Sequence, residues 1–506
     1  MPVVEIKRGS RVVRVKCPTG ARLSNVLRKA LGWYLLPCGG RGICGLCKVR
    51  VIVDGLSEPS AMEAGHELPS GYRLACQSKV VGYTVVEVEG FEKKPVAYGV
   101  EPSKYDLDPL GEGYGLAFDV GSSKIAAALV DLETGRTVDY GYAVNPQVSW
   151  GADVVSRIAS IIKDPASLAE MKKNTVRTLA DLGKRLLHKN KLDKVRVVVA
   201  AGNSVALPIT LGVNPSPLGY APYDNPLDDY VWSSAREVGL PWEAEFIALP
   251  PLKSFVGSDA LCVTTSAALH GFTGNSLLVD IGVNTEVICY GEEVYATSAP
   301  AGPAIEGGYM SCGASALEGA VEYARYDPST GRVNLGYSEG RKGLAGSAIV
   351  SLIASLVEGG VIDERGRIVK PHGEREGVRY FEIGDDLILT QLDVREFQKA
   401  KAAIGAACVK LCRLQGGAPR IVVLAGSMGT LIDQQDAVRI GLIPKARLIL
   451  QYGNLALVGA KLFMVSQRAR EAYEEVRTKA VYVGLLGDEE YERLWIKNLD
   501  LKPLTL

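Results

Sequence analysis

Four of the ten cysteines have a spacing that can hold iron. Cys38, Cys44 and Cys47 lie in the run Cys38-Gly-Gly-Arg-Gly-Ile-Cys44-Gly-Leu-Cys47, and Cys76 follows in Arg73-Leu-Ala-Cys76-Gln77, giving C-x5-C-x2-C-x28-C. Three thiolates on one tight loop with a fourth at a distance is how a [2Fe–2S] cluster is held, plant-type ferredoxins using C-x4-C-x2-C. The glycines between the cysteines let backbone N–H groups curl toward cluster sulfurs. A four-cysteine zinc site favours two C-x2–4-C knuckles, and one is present. Cys17, Cys262, Cys289, Cys312, Cys408 and Cys412 form no ligand pattern. Cys408 and Cys412, four apart in a helical stretch, read as small apolar residues of a buried stripe.

A second chemistry is carried by two similar turns, Phe118-Asp119-Val120-Gly121-Ser122-Ser123-Lys124 and Val279-Asp280-Ile281-Gly282-Val283-Asn284-Thr285-Glu286. Each follows an apolar strand and feeds the next one, making a hairpin tip whose N–H and hydroxyl groups suit phosphate oxygens. The aspartate ending each strand is the hard oxygen ligand that Mg2+ prefers. A third segment, Val422-Val423-Leu424-Ala425-Gly426-Ser427-Met428-Gly429, reads as a buried strand running into a Gly-x-x-Gly turn. Ala301-Gly302-Pro303 with Glu306-Gly307-Gly308 is a further glycine-rich turn, which either borders the nucleotide or the cleft or marks a helix start with local turn chemistry. There is no P-loop and no Rossmann glycine motif. His66, His188, His270 and His372 have no dyad partner in sequence, and nothing resembles a hydrolase triad.

These groups need scaffolds. Residues 3–16 alternate as a hairpin, 21–31 have helical spacing, and 48–53 and 80–89 alternate again, which together fit a small β-grasp domain over 1–90. Residues 91–113, rich in proline and glycine, read as a semi-rigid linker. From 114 the pattern is α/β: strands at 115–119, 125–131 and 137–144, helices at 154–162 and 168–187, and a strand at 195–200. The theme returns with strands at 276–280, 285–290 and 293–299, helices at 345–357 and 394–414, and a strand at 420–424. A three-strand opening with an Asp-x-Gly turn thus occurs twice, about 160 residues apart. Two like lobes, 114–270 and 271–506, are expected.

Composition narrows the classes. The 506 residues are 47% hydrophobic and 23% charged, with 57 basic and 57 acidic side chains. Net charge zero gives no drive toward nucleic acid or an anionic membrane. No apolar run is long enough to span a bilayer, and the first twenty residues have no signal-peptide core. A cytoplasmic protein with reduced or metal-bound cysteines is expected.

With Tyr72-Arg73-Leu74-Ala75-Cys76-Gln77, the cluster loop resembles the N-terminal ferredoxin domain of the reductive activators of corrinoid proteins. The remainder resembles their ATPase portion, of the acetate/sugar kinase–Hsp70–actin superfamily. The matching segments are 118–124, Asn145-Pro146-Gln147, 153–158, 278–286, 301–307, Leu389-Thr390-Gln391, Arg395-Glu396-Phe397-Gln398, 440–444 and Gly453-Asn454. Ser122 and Ser123 stand where the family usually shows threonines, Val283 where a threonine is common, and only 91–113 lies where an extra domain is often found.

The resemblance implies duplicated RNase H-like ATPase lobes behind a β-grasp [2Fe–2S] domain. It implies ATP-dependent transfer of an electron from that cluster to Co(II) of a corrinoid methyl-transfer protein, giving Co(I). Asp119 and Asp280 would place Mg2+ and polarise the attacking water. Gly121, Ser122, Ser123, Lys124, Gly282, Asn284, Thr285, Glu286 and Gly302 would surround the phosphates, and Gly426, Ser427 and Gly429 the adenosine. Cys38, Cys44, Cys47 and Cys76 would ligate the cluster. Ser298 and Ser311 are candidates to meet cobalt. The implied partners are the corrinoid protein, a low-potential electron donor and, as in some members, a second copy of the chain. Plant-type clusters sit near −400 mV. A cobalt step about 100 mV lower needs ~2.3 kcal/mol per electron, within the coupling of about 1–3 kcal/mol that a nucleotide switch supplies. Two other readings fit the residues: an electron carrier whose nucleotide domain gates partner binding without turnover, and a kinase-like enzyme with a redox-sensing domain.

Overall fold

The structure is a computed structural model that describes residues 1–8, 11–31, 42, 47–66, 68–88, 98–314, 320–335, 343–384 and 386–506. Cys38 and Cys44 lie outside these residues.

The amino-terminal alternation builds a mixed five-stranded sheet in the order Arg11–Lys16, Val3–Arg8, Thr84–Glu87, Lys48–Val53, Tyr72–Leu74. Val3–Arg8 pairs antiparallel with its hairpin partner and parallel with Thr84–Glu87, the β-grasp arrangement. Val4, Ile6, Val49 and Val86 face the helix Leu23–Leu31, which buries Leu23, Val26 and Leu27 against them.

The duplication expected from sequence is realised in two sheets of the same order. The first runs Thr137–Val144, Lys124–Asp131, Tyr114–Val120, Val197–Gly202, Glu245–Ala248, with Val231–Ser234 added at its edge. The second runs Val294–Ala299, Thr285–Tyr290, Ser276–Asp280, Ile421–Ala425, Leu448–Gln451, with Val481–Tyr482 beside the third strand of its lobe. In both, strands one to three are antiparallel and strands one, four and five parallel.

Period-two alternation gives each sheet two buried faces. In the first lobe Leu116, Phe118 and Leu129 point to the long helix Ala166–Lys189, whereas Ala117, Ala126 and Ala128 point inward. The inner faces of both sheets share one core with the helices Ser258–Leu269 and Leu455–Val465. Small residues permit that layer: a Cβ on Gly459 would fall 2.2 Å from the carbonyl oxygen of Cys262. The outer face of the second sheet packs on Gly346–Glu358 and Gln391–Leu414. Among the described residues no helix is long and apolar enough to cross a membrane.

Residues 98–113, expected as linker, are held along the ATPase-like lobes by hydrogen bonds. Asp108 N–H donates to Val465 O and Leu110 N–H to Met464 O, each at 2.9 Å. A short hydrophobic period does not disclose this, because the anchors are backbone and polar groups.

Candidate functional site

The two Asp-x-Gly turns meet. One cleft is lined by Asp119, Gly121, Ser122, Ser123 and Lys124 from the first lobe and by Asp280, Gly282, Val283, Asn284 and Glu286 from the second, with Gly426 and Ser427 beside them. Duplication explains the symmetry: in each sheet the turn follows the central strand, so stacking the inner faces brings both tips to one place.

Three polar contacts cross the cleft. Ser123 Oγ donates to Glu306 Oε2 at 3.1 Å, Lys124 Nζ lies 3.4 Å from Ser427 Oγ, and Asn454 Nδ2 donates to Asp119 Oδ2 at 2.9 Å. The first turn is braced from behind. Asn145 Nδ2 donates to Gly121 O at 2.7 Å, Asn203 Nδ2 to Ser122 Oγ at 3.0 Å, and the buried Arg157 guanidinium to Ser122 O. The second turn is braced by Thr285, whose Oγ1 donates to Gly282 O at 2.9 Å and accepts from Gly282 N–H at 3.3 Å.

Thr285 therefore supports the turn from within and is not among the lining residues. Gly302 lies behind it, its N–H on Val283 O at 2.8 Å. Gly429 is set back in a short helix, Gly426–Leu431, which stands where the sequence reads as a turn; its carbonyl accepts from Gln451 at 2.8 Å. Val283 is buried at the edge of the cleft and offers it an apolar side chain where a threonine would offer a hydroxyl. Ser298 donates to Glu286 Oε1 at 3.2 Å, and Ser311 is bound to Asp393 at the start of the helix Gln391–Leu414.

Carboxylates dominate the electrostatics. Asp119, Asp259, Asp280, Glu286 and Glu306 line the cleft, and Lys124 is the cation among the lining residues. Burial raises Asp119 to about 6, opposed by the Asn454 hydrogen bond. Asp280 rises to about 7 through burial, then through the charges of Asp119 and Glu306. Burial and neighbouring carboxylates hold Asp259 and Glu286 well above the usual carboxylate range. Burial pulls Lys124 down, against the charges of Glu306 and Glu322. A cation held by one or two of these carboxylates, with water or phosphate completing its shell, would favour their ionised forms. The hydroxyls and turn N–H groups beside it fit phosphate oxygens.

Asn203 and Asp259 were not marked by sequence; each begins a helical turn far along the chain. Asn203 Oδ1 accepts from Ala206 N–H at 2.7 Å, and Asp259 sits in the first turn of Ser258–Leu269. Glu306 stands inside a glycine-rich turn that sequence did mark, and Asn454 inside a pair, Gly453-Asn454, that the family resemblance marked.

In the amino-terminal sheet, Cys47 and Cys76 are both buried, and Ala75 N–H donates to Cys47 O at 2.9 Å, which holds their two segments together. Gln77 Nε2 lies 3.4 Å from Cys76 Sγ. Gly42, at φ +80°, packs on Gln77, where a Cβ would fall 2.6 Å from Nε2, and His66 Nε2 lies 2.6 Å from Gly42 O. Buried thiols with an N–H directed at sulfur suit an iron–sulfur cluster. Cys408 and Cys412 are fully buried beside Cys289, as a packing stripe requires. No group of three or more metal-ligating side chains is found among the described residues. His270 and His372 bond backbone groups outside the cleft.

Residues 7–81 match the 2Fe-2S iron-sulfur cluster binding domain, 114–271 the RACo middle region, and 274–505 the C-terminal domain of RACo, the ASKHA domain. "Corrinoid activation enzyme RamQ" of Eubacterium limosum is 30% identical over 418 residues, 76% of this chain and 70% of that protein. "[Co(II) methylated amine-specific corrinoid protein] reductase" of Methanosarcina barkeri is 26% identical over 428 residues, 76% of each chain. A solved structure of a "Reductive activator for corrinoid,iron-sulfur protein" superposes with a TM-score of 0.70 over 99% of both chains at 21% identity, a likeness of fold.

Proposed function

Since the chain belongs to the RACo family of corrinoid activation enzymes, we propose that it is an ATP-dependent reductase that returns a corrinoid methyl-transfer protein from Co(II) to Co(I). The observation that carries the reading is the joining, in one chain, of a cysteine-bearing β-grasp sheet to a carboxylate- and hydroxyl-lined cleft between two like lobes. A [2Fe–2S] cluster on Cys38, Cys44, Cys47 and Cys76 supplies one-electron chemistry. Gln77 directs its N–H at Cys76 Sγ and so tunes that ligand.

In the cleft, Ser122, Ser123 and Asn284 present hydroxyl and amide groups to phosphate, and Thr285 keeps the second turn in shape for it. Lys124 neutralises phosphate charge. Gly426 and Ser427 border the adenosine side. Asp119 and Asp280 are the ligands that suit Mg2+, which when bound polarises a phosphoryl oxygen, and they orient the attacking water. A ligand entering between the turns competes with the Ser123–Glu306 and Lys124–Ser427 contacts that join the lobes, so nucleotide binding is coupled to the spacing of the lobes. The electron donor is a low-potential carrier, the setting is the cytoplasm, and a homodimer is the assembly that the family suggests. The domains divide at 90, 113 and 270.

The test is anaerobic. Protein reconstituted with iron and sulfide shows [2Fe–2S] absorbance and an EPR signal on reduction, and its ATP turnover rises when a Co(II) corrinoid protein is added. Iron-free protein holding stoichiometric zinc, or no ATP turnover in any state, overturns the reading. Val283 favours one alternative, a nucleotide-gated electron carrier, because it leaves the second turn without a hydroxyl at that position. Binding of ATP with no phosphate release identifies that case.

A further inference from the structure

The segment that leads from the cysteine-bearing sheet into the first lobe is fastened at unusual cost for a spacer. Val100 N–H donates to Tyr452 O at 2.8 Å, and Tyr98 bridges Asn454 in parallel register. Lys461, fully buried, donates to Glu101 Oε2 and Tyr105 Oη, both at 2.7 Å. Tyr98 Oη lies 3.0 Å from Glu101 Oε1 and 2.9 Å from Thr137 Oγ1, and its ring stacks on Tyr140 with centroids 5.0 Å apart. Asp106 accepts from Ser466 and Asp108 pairs with Arg470. Lys461 is the buried partner and Glu101 is partly covered, so breaking the pair strands the ammonium away from water.

The other side of this latch is the cleft. Asn454 Oδ1 accepts from Leu457 N–H at 2.8 Å, capping the helix Leu455–Val465, and this leaves Nδ2 aimed at Asp119 Oδ2 at 2.9 Å. Gly453, at φ +69°, accepts from Gly426 N–H through its carbonyl at 2.9 Å. The approach is close: a Cβ on Gly99 would stand 2.5 Å from Asn454 O and 2.6 Å from Val458 Cγ2.

We propose that residues 98–108 are a positioning element of the nucleotide site: they seat Gly453 and Asn454, and Asn454 orients Asp119. The link between the iron–sulfur portion and the ATPase portion is then part of the ATP site. This rests on reading the cleft as a nucleotide site. Asn454 acts through Asp119, and Gly99 acts through Asn454.

Gly99→Ala tests it in the full-length, cluster-loaded protein. The expected result is a kcat for ATP hydrolysis lower by roughly tenfold, with the calorimetric Kd for a non-hydrolysable ATP analogue within about threefold of wild type. Hydrogen exchange on the wild type is independent of any variant: the analogue is expected to slow exchange at Val100 N–H. Wild-type kcat in Gly99→Ala, equal loss of kcat and affinity, or exchange at Val100 indifferent to the analogue overturns the proposal alone. A wild type that binds no nucleotide removes the functional reading and this proposal together.

Discussion

Asp119 lies one residue before the end of the first central strand, accepts the amide of Asn454 and shares its space with Asp259 and Asp280. Asp119→Asn keeps the shape and removes the charge, so ATP turnover is expected to fall roughly a hundredfold or more, read as phosphate release. Because burial has raised Asp119 to about 6 and Asp280 to about 7, the folded metal-free protein holds protons that the unfolded chain has released. Those protons stabilise it at low pH, and stability is lost as pH rises from about 4 through 7. A cation favours the ionised forms, so binding of Mg2+ with nucleotide at pH 6.5 releases protons, and the release fades above about pH 8. Calorimetry in buffers of different ionisation enthalpy measures it; proton uptake would contradict it. At the other site, Gln77→Leu removes the N–H directed at Cys76 Sγ, and the reduction potential is expected to become more negative, read by spectroelectrochemistry.

Among the elements, the helix Val154–Lys163 and the first turn are joined by Arg157, fully buried, with donors on Gly151 O at 3.0 Å, Gln147 Oε1 at 3.1 Å and Ser122 O. A lysine cannot span those acceptors. Arg157→Lys is expected to cost about 3 kcal/mol of stability and to raise the KM for ATP, measured by denaturant titration and steady-state kinetics. Gly426 stands at φ +77°, and a Cβ there would lie 2.4 Å from Asp280 Oδ1. Gly426→Ala should therefore weaken nucleotide binding, whereas Gly416→Ala, at φ +91° with nothing near its Cβ, bears similar backbone strain and leaves binding intact. The strands that carry the turns were legible in sequence because alternation and an Asp-x-Gly ending are local signals: 276–280 and 285–290 appear with those bounds. Asn203 and Asp259 were not legible, since ordinary helix starts acquire a role only when distant chain brings them to the cleft. Thr285 was legible as a hydroxyl at the turn, but which way it would bond was decided by the fold.

Across the whole molecule, the resemblance read from the cysteine loop and the paired turns agrees with the family to which the chain belongs. What sequence did not disclose is the fastening of 98–113 along both lobes, because glycine, proline and charge there mimic a spacer. That fastening ties the chain entering the first lobe to the edge of the cleft, and an uphill transfer requires some such coupling: a nucleotide can shift a redox equilibrium only by its differential affinity for two conformations. The most direct measurement mixes the reduced protein anaerobically with a corrinoid protein in the Co(II) state and follows the Co(I) absorption with ATP, with ADP and without nucleotide. Co(I) is expected to form with ATP and to fail with ADP, without nucleotide, or with Asp119→Asn. Formation at one rate in all four mixtures would contradict the account.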